Sequence, residues 1–159
     1  MNPKLEALFV EYTDAHRHPM NRLTHKIAIP LIVFHIVAML DWVKLPFEVA
    51  GHTVSAGHLA FLVAIGWYAA MHLRLAAFMA VGFGLCFPLG HALDGHRWVV
   101  VAIALFGWLV QLAGHVVWEK KSPAFLRNLL QALVGPMFFV ALITGDWKLS
   151  DADAKPGVA

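Results

Sequence analysis

The stretch WVVVAIALFGWLVQLAGHVVW, residues 98–118, carries no ionised side chain from end to end. A helix needs about 20 mostly apolar residues to cross the hydrocarbon core of a bilayer, and this run supplies them. Further apolar runs stand at 27–43 (IAIPLIVFHIVAMLDWV), 57–72 and 75–93, with a last one inside 123–144. A chain of 159 residues has too little interior to hide so much apolar side chain. Hydrophobic residues make up 60% of the sequence and charged ones 14%, against about 25% charged in ordinary soluble domains. Much of the surface must therefore meet lipid. The sequence reads as an all-α, polytopic membrane helical bundle forming a single membrane domain over 1–159. It should hold about four to five transmembrane helices plus an N-terminal amphipathic helix.

The helices are expected over 2–16, 19–43, 57–72, 75–93, 98–118 and 123–144, with a polar tail over 145–159. In the first, Asn2 can cap and Pro3 suits the first helical position. Leu5, Leu8, Phe9 and Tyr12 share one face, which either rests on the membrane surface or packs on the bundle. Pro30 falls in the first turn or so of its apolar run, where a missing N–H costs least. KLPFEVAGHTVSAGH (44–58) reads as a loop and LDGHR (93–97) as a turn. HLR at 72–74 divides the second and third apolar runs into a tight helical hairpin. Residues 1–18 contain acidic side chains and no uninterrupted apolar core, so they are not a signal peptide. Cys86 is the only cysteine and reads as a small buried hydrophobe. The formal charge of +2 suggests no nucleic-acid partner.

With five spans and a cytoplasmic N-terminus, the inner segments hold Lys4, Arg17, Arg22, Lys26, Arg74, Lys120, Lys121 and Arg127. The outer ones hold Lys44, Arg97, Lys148 and Lys155. Eight against four follows the positive-inside rule. The same topology brings His25, His72 and His115 to one membrane face and leaves His91 on the other.

Two polar groupings interrupt the apolar chain. HRHPMNRLTH (16–25) packs three histidines, Asn21 and Thr24 into the mouth of the first long run. Gln111, His115 and Glu119 follow at i, i+4, i+8, one face of an α-helix. Polar groups inside a membrane are costly and face the bundle interior. Pro19 divides the first grouping, so that Asn21 and His25 lie one turn apart on the following helix. His35 reads as a buried polar contact, and His52, His58 and His96 as solvated loop residues. Ten histidines beside one cysteine favour imidazole and carboxylate ligands, a set suited to iron, zinc or copper. The motifs H-E-x-x-H and G-x-S-x-G are absent, as are phosphate-loop and dinucleotide fingerprints. A bis-histidine haem between His25 and His115 is an alternative. So are a non-enzymatic scaffold or small transporter and a soluble helical metal-binding domain.

The patterns Y-x3-H-R-H-P-x-N-R-x-T-H-x4-P, from Tyr12 to Pro30, and Q-x2-G-H-x3-E-K-K-x-P-A-F-x2-N-L-x-Q-A-L-x-G-P-x-F, from Gln111 to Phe138, resemble the 2-hydroxy fatty acid dioxygenase family of small membrane proteins. The resemblance implies an iron(II)-dependent oxygenase of fatty acid α-oxidation that shortens a 2-hydroxy fatty acid by one carbon with O2. Its partners would be that lipid, O2 and the surrounding membrane lipid. It would reside in the inner membrane of a bacterium, or in the endoplasmic reticulum as in eukaryotic relatives. His16, Pro19, Asn21 and His25 match the first motif. Gly114, His115, Glu119, Pro123 and Ala124 match the second. His18 stands where many eukaryotic relatives carry asparagine, which sets it apart from the main ligand set. The resemblance thus implies Fe(2+) held by His16, His25 and His115, with His18 or Glu119 as further candidates; His72 and His91 are candidates as histidines alone, since the middle hairpin matches the family poorly. Glu119 joins the three histidines in the catalytic set. Asn21 and Gln111 would orient the rings and the substrate. Arg17, Arg22 and Lys26 would attract the fatty carboxylate, or else merely obey the positive-inside rule.

Overall fold

A computed structural model describes residues 1–123, 128 and 130–149 of the chain. It is mostly helical. Helix α1 spans Pro3–Ala15 and α2 spans Pro19–Asp41. A two-stranded hairpin follows, β1 at Lys44–Val49 and β2 at His52–Ser55. Then come α3 (Ala56–Met71), α4 (Leu73–His91), α5 (Arg97–Ala113) and α6 (Leu130–Thr144). A 3-10 turn at Asp94–His96 leads into α5, and a π-helical segment, Gly114–Glu119, extends it.

Asn2 caps α1, its side chain accepting the Lys4 N–H at 2.9 Å. Leu5, Leu8, Phe9 and Tyr12 are buried as their spacing predicts, and they pack on the bundle rather than on a membrane surface. Phe9 meets Phe138 of α6 edge to face, with centroids 5.3 Å apart. With the Tyr12 ring, 4.8 Å from Phe138, this contact ties the first described helix to the last.

Helix α2 is the hub, packed against α3, α4, α5 and α6. Small residues let the backbones close in, as helices in lipid require. A Cβ on Gly107 of α5 would stand 3.3 Å from Leu31 and Ile32, and one on Gly90 of α4 3.1 Å from Ala38. Large apolar side chains point the other way. Val63, Leu73, Leu105, Leu109, Val116 and Ile143 are all more than half exposed, the surface expected of a lipid-facing bundle. Three stretches are long and apolar enough to cross a membrane: Pro19–Asp41, Leu73–His91 and Asp94–Glu119. Helices α3 and α6, at 16 and 15 residues, are shorter than that.

The structure departs from the sequence reading in four places. The expected loop over 44–58 is a β-hairpin running into α3. Its turn places Ala50 and Gly51 at positive φ, 51° and 78°, as a two-residue hairpin turn demands. Pro46 is tolerated because the register shifts between Lys44 and Glu48. Second, α2 starts at Pro19, as expected, which makes Pro30 an interior residue of the helix and not one of its first turn. Third, the end of the 98–118 run is wound as a π-helix. Fourth, the helix expected over 123–144 is described only from Leu130, and Pro123 is not helical. Ala124 and Arg127 lie outside the described residues, as does the tail from 150 on, Lys155 included.

At the C-terminal end of α2, Asp41 is buried and fully engaged. Its carboxylate accepts the Ser55 hydroxyl at 2.6 Å and the Lys44 ammonium at 3.0 Å, with His91 Nε2 at 3.4 Å. Ser55 and His58 form a reciprocal cap on α3. His58 and His91 are thus pinned helix-end residues, and His58 is not the free loop residue its position suggests.

Candidate metal centre

The opposite end of α2 faces the end of α5. His16 ends α1, His25 lies nearly two turns into α2, and His115 lies in the π segment. All three are buried. Their Nε2 atoms converge, His16 to His25 at 3.2 Å and His25 to His115 at 3.1 Å. In His16 and His25 the remaining ring nitrogen explains the aim. His16 Nδ1 donates to the Tyr12 carbonyl at 2.7 Å, and His25 Nδ1 donates to the Asn21 carbonyl at 2.7 Å. Each acceptor sits four residues earlier. Donation from Nδ1 leaves Nε2 with a lone pair and no hydrogen.

Lone pairs facing one another at 3.2 Å repel, so these nitrogens are not hydrogen-bonded partners in any ordinary sense. A shared electrophile removes the conflict. Metal–imidazole bonds of about 2.0–2.1 Å place neighbouring ligand nitrogens roughly 3.0–3.4 Å apart, which matches the observed spacings. One donor atom from each ring lies within 4.8 Å of the others. Burial pushes the His16 imidazole down to about 3, against the Tyr12 carbonyl and with help from His115 and Arg22. It is therefore neutral and able to ligate. Burial raises the neighbouring Tyr12 phenol, which stays protonated. The Tyr12 ring stacks on His16 with centroids 4.0 Å apart.

Glycine makes this meeting of helices possible. A Cβ on Gly114 would collide with Thr24 Oγ1 and Asn21 Oδ1. The π winding places the two α5 candidates differently. A π turn closes one residue later than an α turn, so a four-residue spacing no longer repeats on one face. His115 points at the histidines. The Glu119 carboxylate turns instead to the chain entering α2, accepting the backbone N–H of Arg17 at 3.1 Å and of His18 at 3.0 Å. It also accepts Asn21 Nδ2 at 3.1 Å. Glu119 acts here as a helix cap, and its carboxylate is spent on that task.

The other candidates separate cleanly. His18 caps α2, accepting the Met20 N–H at 3.1 Å. His72 caps α4, accepting the Leu75 N–H at 3.3 Å. His91 stands at the far end with Asp41 and Asp94. None joins the cluster. Arg17 pairs with Asp14 at 2.6 Å on the surface, and Arg22 is half-buried beside the site. His35 accepts Trp108 Nε1 at 3.3 Å, a bridge between α2 and α5.

A cavity of about 190 Å³ opens from the cluster. His16, His115 and Gln111 line its polar end, and Ile32, Val33, Ile36, Val37 and Phe83 its apolar length. No lysine or arginine among the described residues lines it. Gln131 of α6 does line it, a residue the sequence reading gave no role. Its signal was a lone amide within an otherwise apolar helix.

Comparison with known proteins adds two findings. The family described as Mpo1-like, 2-hydroxy-palmitic acid dioxygenase Mpo1-like, matches residues 3–147. The 2-hydroxy-palmitic acid dioxygenase MPO1 of Saccharomyces cerevisiae (strain ATCC 204508 / S288c) is 34% identical over 134 residues, covering 81% of this chain and 72% of that protein. No solved structure matches.

Proposed function

The chain belongs to the Mpo1-like family, and from that premise we propose that it is an iron(II)-dependent dioxygenase that converts 2-hydroxy fatty acids to acids one carbon shorter. The observation that carries the reading is the buried, convergent triad of His16, His25 and His115 at the head of an apolar cavity. Three neutral imidazoles suit iron, which would supply binding and activation of O2 and Lewis acidity toward the substrate's oxygens.

The chain's own groups do the rest. Tyr12 and Asn21 hold two rings through their carbonyls and so fix which nitrogen faces the cavity. Glu119 fastens the α1–α2 junction to the end of α5, which keeps His16 and His25 in register with His115. The apolar walls take the acyl chain and exclude water from the head group. The chemistry balances without an outside reductant. A 2-hydroxy acid and O2 together contain the atoms of an acid one carbon shorter, carbon dioxide and water. The C1–C2 bond breaks, C2 becomes the new carboxyl carbon, and O2 accepts the four electrons.

The same reading gives the membrane arrangement. α3 and α6 complete a five-helix bundle with α2, α4 and α5, and the histidine end faces the cytoplasm with most of the lysines and arginines. A fatty acid then offers its head at the interface and keeps its tail in hydrocarbon. A bis-histidine haem is a poor fit, because imidazoles 3.1 Å apart leave no slot for a porphyrin between them.

The test uses purified protein in detergent, loaded with iron(II) under anaerobic conditions, mixed with 2-hydroxypalmitate and then aerated. Mass spectrometry should find the fifteen-carbon acid, about one per substrate consumed. Metal-loaded protein that leaves 2-hydroxypalmitate intact would overturn the proposal.

A further inference from the structure

Gln131 is 2% exposed, yet neither its Oε1 nor its Nε2 meets a hydrogen-bond partner among the described residues. Gln111, facing the same cavity from α5, is 7% exposed, and its Oε1 is likewise unpartnered. Buried amides without partners cost free energy and are rare in native proteins. Two of them on separate helices, both lining the cavity headed by His16 and His115, are not explained by packing. The neighbouring Tyr68 is matched by contrast: it donates to the Leu133 carbonyl at 2.9 Å, two residues on from Gln131 in α6.

We infer that Gln131, assisted by Gln111, is the residue that reads the 2-hydroxyl group of the substrate. The inference rests on the proposed dioxygenase reading for the identity of the ligand. A carboxamide is the neutral complement of a 2-hydroxy acid, since Oε1 accepts the hydroxyl proton while Nε2 donates to a carboxylate oxygen. A lysine or arginine there would bind any fatty acid through its charge alone, and no such residue among those described lines the cavity. An amide pair rewards the acid bearing a hydroxyl and leaves its own oxygen unmatched when an unsubstituted acid binds. That mismatch is the source of selectivity. Gln131 is thus a specificity residue for this site, distinct from the histidines.

The experiment measures binding of 2-hydroxypalmitate and of palmitate to the full chain in detergent, iron(II)-loaded and anaerobic, by equilibrium dialysis. The wild type should hold the hydroxy acid at least about tenfold more tightly than palmitate, the worth of one hydrogen bond left unmade. Gln131→Leu and the closer isostere Gln131→Met should each weaken 2-hydroxypalmitate by about that factor more than they weaken palmitate, which loses only the contact of Nε2 with its carboxylate, so the discrimination should vanish. Their ligand-free melting temperatures should stay level or rise, because an unmatched buried amide has been removed. A wild type that does not discriminate, variants that keep the discrimination, or variants that melt lower and lose both ligands equally would each overturn the inference. Aerating the same samples tests the dioxygenase reading separately, because selective binding without chain shortening would refute that reading alone.

Discussion

The two ends of α2 carry polar clusters of opposite character. At Asp41 one buried carboxylate meets a hydroxyl, an ammonium and imidazoles, so acceptors face donors. At His25 the ring nitrogens of three imidazoles converge, those of His16 and His25 lone pair to lone pair, and Asn21 Oδ1, Gln111 Oε1 and His115 Nδ1 have no partner among the described residues. The first cluster is complete in itself and closes off α2, α3 and α4. The second leaves groups unmatched, and on the proposed function an electrophile between the rings and a polar ligand beside the amides would complete it. A closed cluster should therefore matter for stability alone, and an open one mainly for chemistry.

The largest effect should come from His115→Ala. It removes a ring from the triad without touching the caps, so bound metal should fall from about one per chain to near zero, with activity falling more than about 100-fold, the upper range for disturbing a ligand's supporting partner. Melting of the metal-free protein should change little. Elemental analysis beside product assay checks this, and full metal retention would make the histidine cluster as structural as the Asp41 one. Gly114→Ala comes next. Its methyl group would strike Thr24 and Asn21, residues of the tightly packed α2 face. Overpacking of this kind costs about 1–3 kcal/mol. Here it should also push α5 away from α2, so that thermal stability in detergent and metal affinity drop together.

Much of this contrast was legible in the sequence, and the reason is topological. Helices that alternate across a bilayer return to one face at every second crossing, so motifs ninety residues apart, at His25 and His115, can be paired from hydropathy alone. The buried face of α1 was legible from Leu5, Leu8, Phe9 and Tyr12 because its period is local. What escaped depends on partners far along the chain. The π winding at Gly114–Glu119 accompanies the capture of the Arg17 and His18 N–H groups by Glu119, about a hundred residues away. The hairpin at 44–55 was masked by Pro46 and by an Ala50–Gly51 turn lacking the usual Asn-Gly signal. Gln131 was visible as a lone amide, but only its lack of partners makes it notable.

Asp41→Ala probes the closed end. It strips the Ser55 hydroxyl and the Lys44 ammonium of their acceptor inside a buried setting. The expected cost is about 2 kcal/mol, seen as a lower melting temperature. Metal content and activity of the surviving folded protein should stay within about twofold, because additivity holds for sites far apart. Loss of metal in this variant would mean that the two ends communicate through α2.

Glu119→Gln carries the smallest effect and makes the sharpest distinction. If the carboxylate is a cap, the amide keeps an oxygen for one backbone N–H but turns an NH2 toward the other and loses the charge assistance, so stability should fall by about 1 kcal/mol. Metal stoichiometry should remain at one, since no Glu119 oxygen belongs to the triad. Were Glu119 a ligand, the neutral amide would bind metal far less well and stoichiometry would collapse. Measuring melting and metal in the same preparation separates these outcomes. A metal-replete but mildly destabilised Glu119→Gln would place this residue with the closed kind of cluster, although it stands at the open end. It would then be a positioning group that holds His16 and His25 against His115 without itself entering the chemistry.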